Sequence, residues 1–371
     1  MNRLLRNISR WIVGIVFMFS GFVKGVDPLG TAYRIEDYFI AYGTEWASFL
    51  SVGLSVLLST SEFVLGLALI SGFRMILISK VLLWMMVFFT GLTFYDALYE
   101  PVPDCGCFGD AIKLTNWETF YKNIVLIVLV LIIFVSRRKF KINMPTPIQT
   151  LLIFLYLAGF AYFSLYNYNH LPIMDFRAWK EGKQMNPEGV QETLVYLTYR
   201  NKNTGEDKEY LSPEYPWNDS IWLNNWEFVD QRTEIVGELA GHGLFAEDEN
   251  GNDMTAIVLE SPNIFVIVAY DLYKIPANVF DKIATLDAIA SAEGNGIIWL
   301  TSTLPDEVNA LSEQHPELYE VYYADDIVLK TMVRSNPGLI LMNQGVVKKK
   351  WHHNDFPEGE ELKQIIKQFS E

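Results

Sequence analysis

Asp104-Cys105-Gly106-Cys107-Phe108-Gly109-Asp110 is a short polar stretch set between two long apolar runs, and it holds the only two cysteines among 371 residues. Two thiols one residue apart can close into a small ring. Such a ring is tight, and a strained disulfide is easier to reduce than a structural one. Gly106 and Gly109 allow the positive φ that so tight a loop calls for. The pair therefore reads either as a redox-active dithiol or as a static clip, and the surroundings of the loop bear on the choice.

Working outward, the flanking runs are residues 75–95 and 120–135, and three more runs lie at 11–26, 46–72 and 148–166. A helix crossing the hydrocarbon core needs about 20 apolar residues, so the expectation is five membrane spans. The first run has the composition of a signal-peptide core, but Lys24-Gly25-Val26-Asp27-Pro28 follows it where a small-residue cleavage pattern would stand. It is read as a retained span. Positive residues cluster at Arg3, Arg6 and Arg10, at Arg74 and Lys80, and at Arg137, Arg138, Lys139 and Lys141. With five spans these clusters share one side, which the positive-inside rule makes cytoplasmic. The segment 24–45, the cysteine loop and everything after residue 166 then face outward. The expected location is a bacterial inner membrane, with the carboxyl-terminal region in the periplasm. There the cysteines meet an oxidising compartment.

Charge divides the chain in the same place. Residues 1–170 carry 13 Lys and Arg against 10 Asp and Glu, and the remainder carries 16 against 34. A slightly basic apolar half followed by an acidic half suits a membrane part and a water-exposed part. The excess of acid argues against nucleic acid as a partner, because phosphate neutralisation needs Lys and Arg. Within the spans, Glu62 sits deep in the second run, and an ionisable group in hydrocarbon marks a functional site or a buried pair. Lys24 and Lys80 are its candidate partners, and the three residues are the candidates for contact with an intramembrane cofactor. Asp96, Glu100, Asp104 and Asp110 surround the cysteines, either as a solvated acidic loop or as charges that raise a thiol pKa. Cys105 directly follows Asp104, which favours Cys107 as the attacking thiolate.

In the outer half, residues 169–179 read as an exit linker. Residues 193–200 and 208–211 read as a hairpin, followed by Trp217, Trp222 and Trp226 in a packing or membrane-surface role. From residue 241 strand and helix patterns alternate: a turn at 251–255, a strand at 263–270, a helix at 276–293, a strand at 297–301 and a helix at 305–314. A hairpin at 339–351 and a helix at 357–369 end the chain. His242, His315, His352 and His353 show no metal-ligand spacing with any cysteine, and no metal site is expected.

Ser20-Gly21-Phe22-Val23-Lys24, Asp27-Pro28, the Glu62, Gly66 and Gly72 spacing and the Cys-Gly-Cys-Phe-Gly loop resemble the DoxX-like family and its MauE relatives, over residues 8–137. The resemblance implies a four-helix membrane bundle with a role in periplasmic thiol–disulfide chemistry or in maturation of secreted proteins. It invites comparison with quinone-linked disulfide oxidoreductases such as the vitamin K epoxide reductase relatives, and so implies a quinone as cofactor. Those proteins use Cys-x-x-Cys, usually with a second pair; this chain has one pair at a shorter spacing. The alternating region resembles the thioredoxin-like fold in its TlpA-like or peroxiredoxin-like form, with 243–259 as a lead-in hairpin. Ser335-Asn336-Pro337-Gly338 stands where that fold has its cis-proline. Where its Cys-x-x-Cys belongs, the chain reads Asp271-Leu272-Tyr273-Lys274-Ile275-Pro276, without a thiol. Such a domain can still bind an extended polypeptide through backbone hydrogen bonds.

The expected architecture is an α-helical membrane bundle at 1–143 and a fifth span at 144–168. A small β-rich module at 169–240 and a degenerate α/β thioredoxin-like domain at 241–371 follow. The expected function is that of an accessory protein of periplasmic thiol–disulfide exchange, using Cys105 and Cys107, embedded in lipid and docking an envelope or periplasmic protein. The alternative is a scaffold subunit of an envelope complex with a static Cys105–Cys107 disulfide. Reporter fusions after Lys141 and after Asn169 are expected to report opposite sides of the membrane; the same side for both would refute the five-span topology.

Overall fold

A computed structural model describes residues 3–140, 142–185, 192–236 and 243–370. His242 and Lys141, both weighed in the sequence, lie outside the described residues. The chain divides into two compact units. One comprises Met1–Lys180 together with Lys330–Gly338 and Trp351–Phe356; the other comprises Glu181–Leu329, Leu339–Lys350 and Pro357–Glu371.

The first unit opens with α1 (Arg3–Val26), α2 (Pro28–Ala41), α3 (Ser51–Ser71), α4 (Met75–Tyr99), α5 (Asn116–Ser136) and α6 (Thr146–Asn169). Among the described residues, five segments are long and apolar enough to cross a membrane: α1, α4 and α6, α3 with the short 3-10 helix before it, and α5 with the turn after it. Their inward faces form one apolar core that includes Val13, Phe17, Leu69, Leu82, Met86 and Val130. Between helices that both prefer lipid, the hydrophobic effect offers little net attraction, so small residues that let backbones approach carry the packing. α1 and α3 meet in this way. A Cβ placed on Gly21 would lie 2.3 Å from the backbone nitrogen of Phe63, and one on Gly66 would lie 2.6 Å from the carbonyl oxygen of Gly14.

The segment between the first two spans, read in the sequence as an outer loop, contains the helix α2. The signal is local. The Asp27 side chain accepts a hydrogen bond from the Gly30 N–H at 2.9 Å, and Pro28 occupies the first helical position, where its missing N–H costs nothing. α5 begins with a capping box in which Thr115 and Glu118 satisfy each other's backbone N–H groups.

The acidic half carries two sheets. β1 (Glu192–Asn201), β2 (Asp207–Leu211) and β3 (Trp226–Val236) form an antiparallel sheet in the order β2-β1-β3. The hairpin read in the sequence is there, and β3 adds a third strand. Trp222, in α7 (Ser220–Asn225), packs in a cluster with Tyr199, Tyr210 and Trp226, while Trp217 stays exposed. The second sheet has the order β6-β5-β4-β7-β8, from β4 (Ile264–Ala269), β5 (Ile297–Thr301), β6 (Val321–Tyr323), β7 (Gly338–Asn343) and β8 (Val346–His352). β4, β5 and β6 are parallel, and β7 and β8 are joined by a two-residue turn. Every residue of β4 and β5 is buried, as expected of strands covered on both faces.

The lead-in hairpin expected at 243–259 is absent. A single bridge joins Glu247 to Asp253, and α8 (Thr255–Glu260) follows. Asp253 accepts from the Thr255 N–H at 2.9 Å just before α8, which buries Val258 and Leu259. The remaining elements are α9 (Ala277–Ala292), α10 (Pro305–Ser312), α11 (Asp326–Met332) and α12 (Gly359–Ser370), with α9 packed against β5 and α12.

Gly21→Ala is expected to destabilise the detergent-purified protein by about 1–3 kcal/mol, the usual range for overpacking a tight contact. Gly91→Ala, where nothing lies within 4 Å of the added methyl, serves as the control and is expected to leave the thermal midpoint unchanged or raised. Equal midpoints for the two variants would refute the close α1–α3 contact.

Candidate functional site

The loop between α4 and α5 is built by its polar residues. Asp104 Oδ1 accepts the Gly106 N–H at 2.9 Å, Gly106 and Gly109 take φ of +60° and +52°, and the Gly109 N–H returns to the Gly106 carbonyl at 3.0 Å. This turn brings the sulfurs of Cys105 and Cys107 within 2.7 Å of each other, both as free thiols. The hydrogen bond from Cys105 lowers the Cys107 thiol to about 6; burial opposes the shift, and the ammonium groups of Lys122 and Lys24 reinforce it. The same hydrogen bond, together with burial, raises Cys105. The shared contact thus moves the two thiols in opposite directions, Cys107 toward the thiolate and Cys105 away from it.

Three of the four acidic neighbours expected to raise a thiol are occupied. Asp104 takes Arg34 Nη2 at 2.7 Å, and Asp110 takes Arg334 Nη2 at 3.0 Å. Asp96 is fully buried and accepts from the Tyr38 hydroxyl at 2.7 Å, and burial with this carboxylate raises the Tyr38 phenol. Glu100 caps the end of α4 with φ of +48°.

Beneath the loop, Glu62 and Lys24 form a buried ion pair, with Lys24 Nζ 2.7 and 2.9 Å from the two carboxylate oxygens. Ser20 Oγ lies 2.8 Å from Glu62 Oε2 and 2.7 Å from the carbonyl oxygen of Cys107. Its single proton serves one of them at a time. Of the two cationic partners suggested for Glu62, the fold supplies Lys24. Lys80 lies on an exposed face of α4, one turn into the helix, away from this group.

These residues close one end of a cavity of about 500 Å³ within the helical unit. Cys105, Cys107, Lys24 and Glu62 line it together with Arg34, Tyr38, Thr93 and Asn123; the wall is otherwise mostly apolar, with Leu54, Leu58, Met86, Phe89 and Leu92. Lys122, which the sequence reading passed over, also lines it. Its Nζ stands 4.5 Å from the Phe108 ring centroid. Its signal was a lone lysine one turn into an apolar span, close in sequence to the cysteines.

The described histidines are elsewhere. His170 Nδ1 meets Asp355 at 2.8 Å, His353 Nδ1 lies 3.0 Å from Ser335 Oγ, and His315 stacks on Phe280. Burial and two histidine neighbours push His352 down to about 3. Among the described residues no group of three His, Cys, Asp or Glu is placed to hold a metal ion.

Residues 2–136 match the family model described as methylamine utilisation protein MauE. No curated protein and no solved structure matches the chain. The match covers α1 to α5 with the cysteine loop, and the five apolar segments make the chain a multi-pass membrane protein.

Cys105→Ser would exchange the thiol donor beside Cys107 for a hydroxyl donor and so alter the hydrogen bond that lowers it, so the measurement belongs in the two-cysteine protein, with the modified site read by mass spectrometry. Cys107 is expected to react first, its rate falling as pH falls through about 6. Lys122→Met moves that midpoint toward the free-thiol value of roughly 8.5. A wild-type midpoint already at the free-thiol value would refute the assigned thiolate.

Proposed function

We propose that this chain is a membrane accessory protein of thiol–disulfide exchange, acting in the maturation of an exported protein. The observation that carries the reading is the Cys105–Cys107 pair, asymmetric in acidity, standing at the polar end of an apolar cavity. The matched family's description names methylamine utilisation, and an exported protein of that process is the family-level expectation for the client.

The exchange runs in two steps. The Cys107 thiolate attacks one sulfur of a partner's disulfide, forming a mixed disulfide and releasing the partner's other sulfur as a thiolate. Cys105 then loses its proton and attacks Cys107 Sγ, closing the ring and expelling the partner's second thiolate. The partner gains two electrons and the pair is oxidised. Run in reverse, the ring hands its disulfide to the partner and is left as a dithiol. The two reduction potentials set the direction.

In the reverse direction the dithiol needs an acceptor of two electrons and two protons. The apolar walls of the cavity, its place among membrane-spanning helices and the sulfurs at its polar end fit a quinone. Bound there, a quinone would supply an acceptor of two electrons and two protons. Cys107 would present the thiolate to it, and Lys24, Lys122 and Tyr38 are among the cavity-lining groups that carry exchangeable protons.

The outer region supports a docking role. The order β6-β5-β4-β7-β8, with three parallel strands and a terminal hairpin, is compatible with a thioredoxin-like domain. The Asn336–Pro337 peptide is cis, and residues 271–276 form a single turn without cysteine. In this reading the domain binds the client and leaves the chemistry to the loop.

Single Cys→Ser variants, acid-trapped and run on non-reducing gels, test the reading. Cys105→Ser is expected to accumulate a reducible adduct with an envelope protein, Cys107→Ser less of it, and the double variant none. Absence of adduct in both single variants, with wild-type function retained, would refute exchange and leave the static-clip scaffold.

A further inference from the structure

Arg334 lies more than 220 residues from the cysteine loop in sequence, yet belongs to the same compact unit. Its side chain is buried. Nε lies 3.0 and 2.9 Å from the two carboxylate oxygens of Asp27, and Nη2 lies 3.0 Å from Asp110 Oδ2. Nη1 donates to the Lys330 carbonyl. The guanidinium is also 5.3 Å from the Tyr33 ring centroid. The cap of α2 and the end of the cysteine loop are thus joined through one planar group. Gly30 makes room for it: a Cβ there would come within 2.9 Å of Arg334 Nη2. Burial opposes the charge on Asp27, and Arg334, aided by Arg177 and the Gly30 N–H, nevertheless holds its carboxyl below the usual range.

The other end of the loop is held in the same manner. Arg34, on α2, binds Asp104 at 2.7 Å, immediately before Cys105. The two cysteines therefore sit between two carboxylates, each gripped by an arginine, and both grips lead back to α2. Charge-assisted hydrogen bonds of this kind are shorter and stronger than neutral ones, and removing one partner of a buried pair leaves the other charge uncompensated.

Resting on the proposed exchange chemistry, we infer that Arg334 is a positioning residue for the Cys105–Cys107 pair. It restrains the loop in the conformation in which the two sulfurs meet. The oxidised ring is restrained by its own bond, whereas the dithiol is restrained by the loop's anchors. Releasing one anchor gives the dithiol conformational freedom that the ring does not gain, and the equilibrium moves toward the dithiol.

The test is the dithiol–disulfide equilibrium of the full chain in detergent, measured in glutathione buffers, for wild type, Arg334→Gln, Asp110→Asn and the double variant. Arg334→Gln is expected to shift the equilibrium constant toward the dithiol at least tenfold, equivalent to about 30 mV for a two-electron couple. Asp110→Asn is expected to shift it in the same direction. The double variant is expected to show less than the sum of the two free-energy changes, since both break one contact. A shift under threefold in Arg334→Gln overturns the inference, and so does full additivity. If Arg334→Gln fails to fold, Asp110→Asn carries the test alone, and an unchanged equilibrium overturns the inference. These equilibria need no physiological partner, so they stand or fall separately from the adduct trapping that tests the exchange itself.

Discussion

The backbones of α1 and α3 touch at Gly21 and Gly66, and the polar end of the cavity depends on that contact. Ser20 and Lys24 flank Gly21 on α1, and Glu62 lies one turn before Gly66 on α3. Only helices this close bring Lys24 to 2.7 Å and Ser20 to 2.8 Å of the Glu62 carboxylate. In hydrocarbon the charges cannot be left apart, because neither has water to replace the missing partner. The ion pair therefore requires the glycine contact, and Ser20 extends it to the Cys107 carbonyl at 2.7 Å.

Above this pair, the loop is organised by charge neutralisation. Four carboxylates surround two thiols in sequence, a pattern that on its own would suppress thiolate formation. The fold assigns Asp104 to Arg34, Asp110 to Arg334 and Asp96 to Tyr38. The groups that act on the sulfurs include each other, the ammonium groups of Lys122 and Lys24, which favour the Cys107 thiolate, and Glu62, which opposes it. The sign of the local field is set by which charges are already paired. α2 is central to this, since Asp27, Arg34 and Tyr38 all lie on it or cap it.

The acidic half separates architecture from chemistry. In its five-stranded sheet the parallel strands β4 and β5 are fully buried, and the turn at 271–276, where a redox motif would stand, is capped by Asp271 and carries no cysteine. In the function proposed, that leaves the sheet domain as a binding surface and concentrates electron transfer in the loop between α4 and α5.

Some of this was determined by local sequence. The five apolar runs, β4, β5 and α9 were legible because continuous hydrophobic stretches and their bounding turns report burial directly. The hairpin of β7 and β8 was legible from Asn343-Gln344-Gly345, and the two cysteines from their isolation. Glu62 and Lys24 were legible as candidates because charge inside a span is rare. What only the tertiary structure decided were the partners. Lys24 rather than Lys80 reaches Glu62 because α1, not the start of α4, lies against that face of α3. α2 was hidden because its cap, Asp27-Pro28, reads equally well as the start of a loop. Arg334 and Lys122 were invisible because an ion pair or a cation beside a thiolate leaves no periodicity in the chain. Such contacts are fixed by distance in space, and sequence separation carries no information about them.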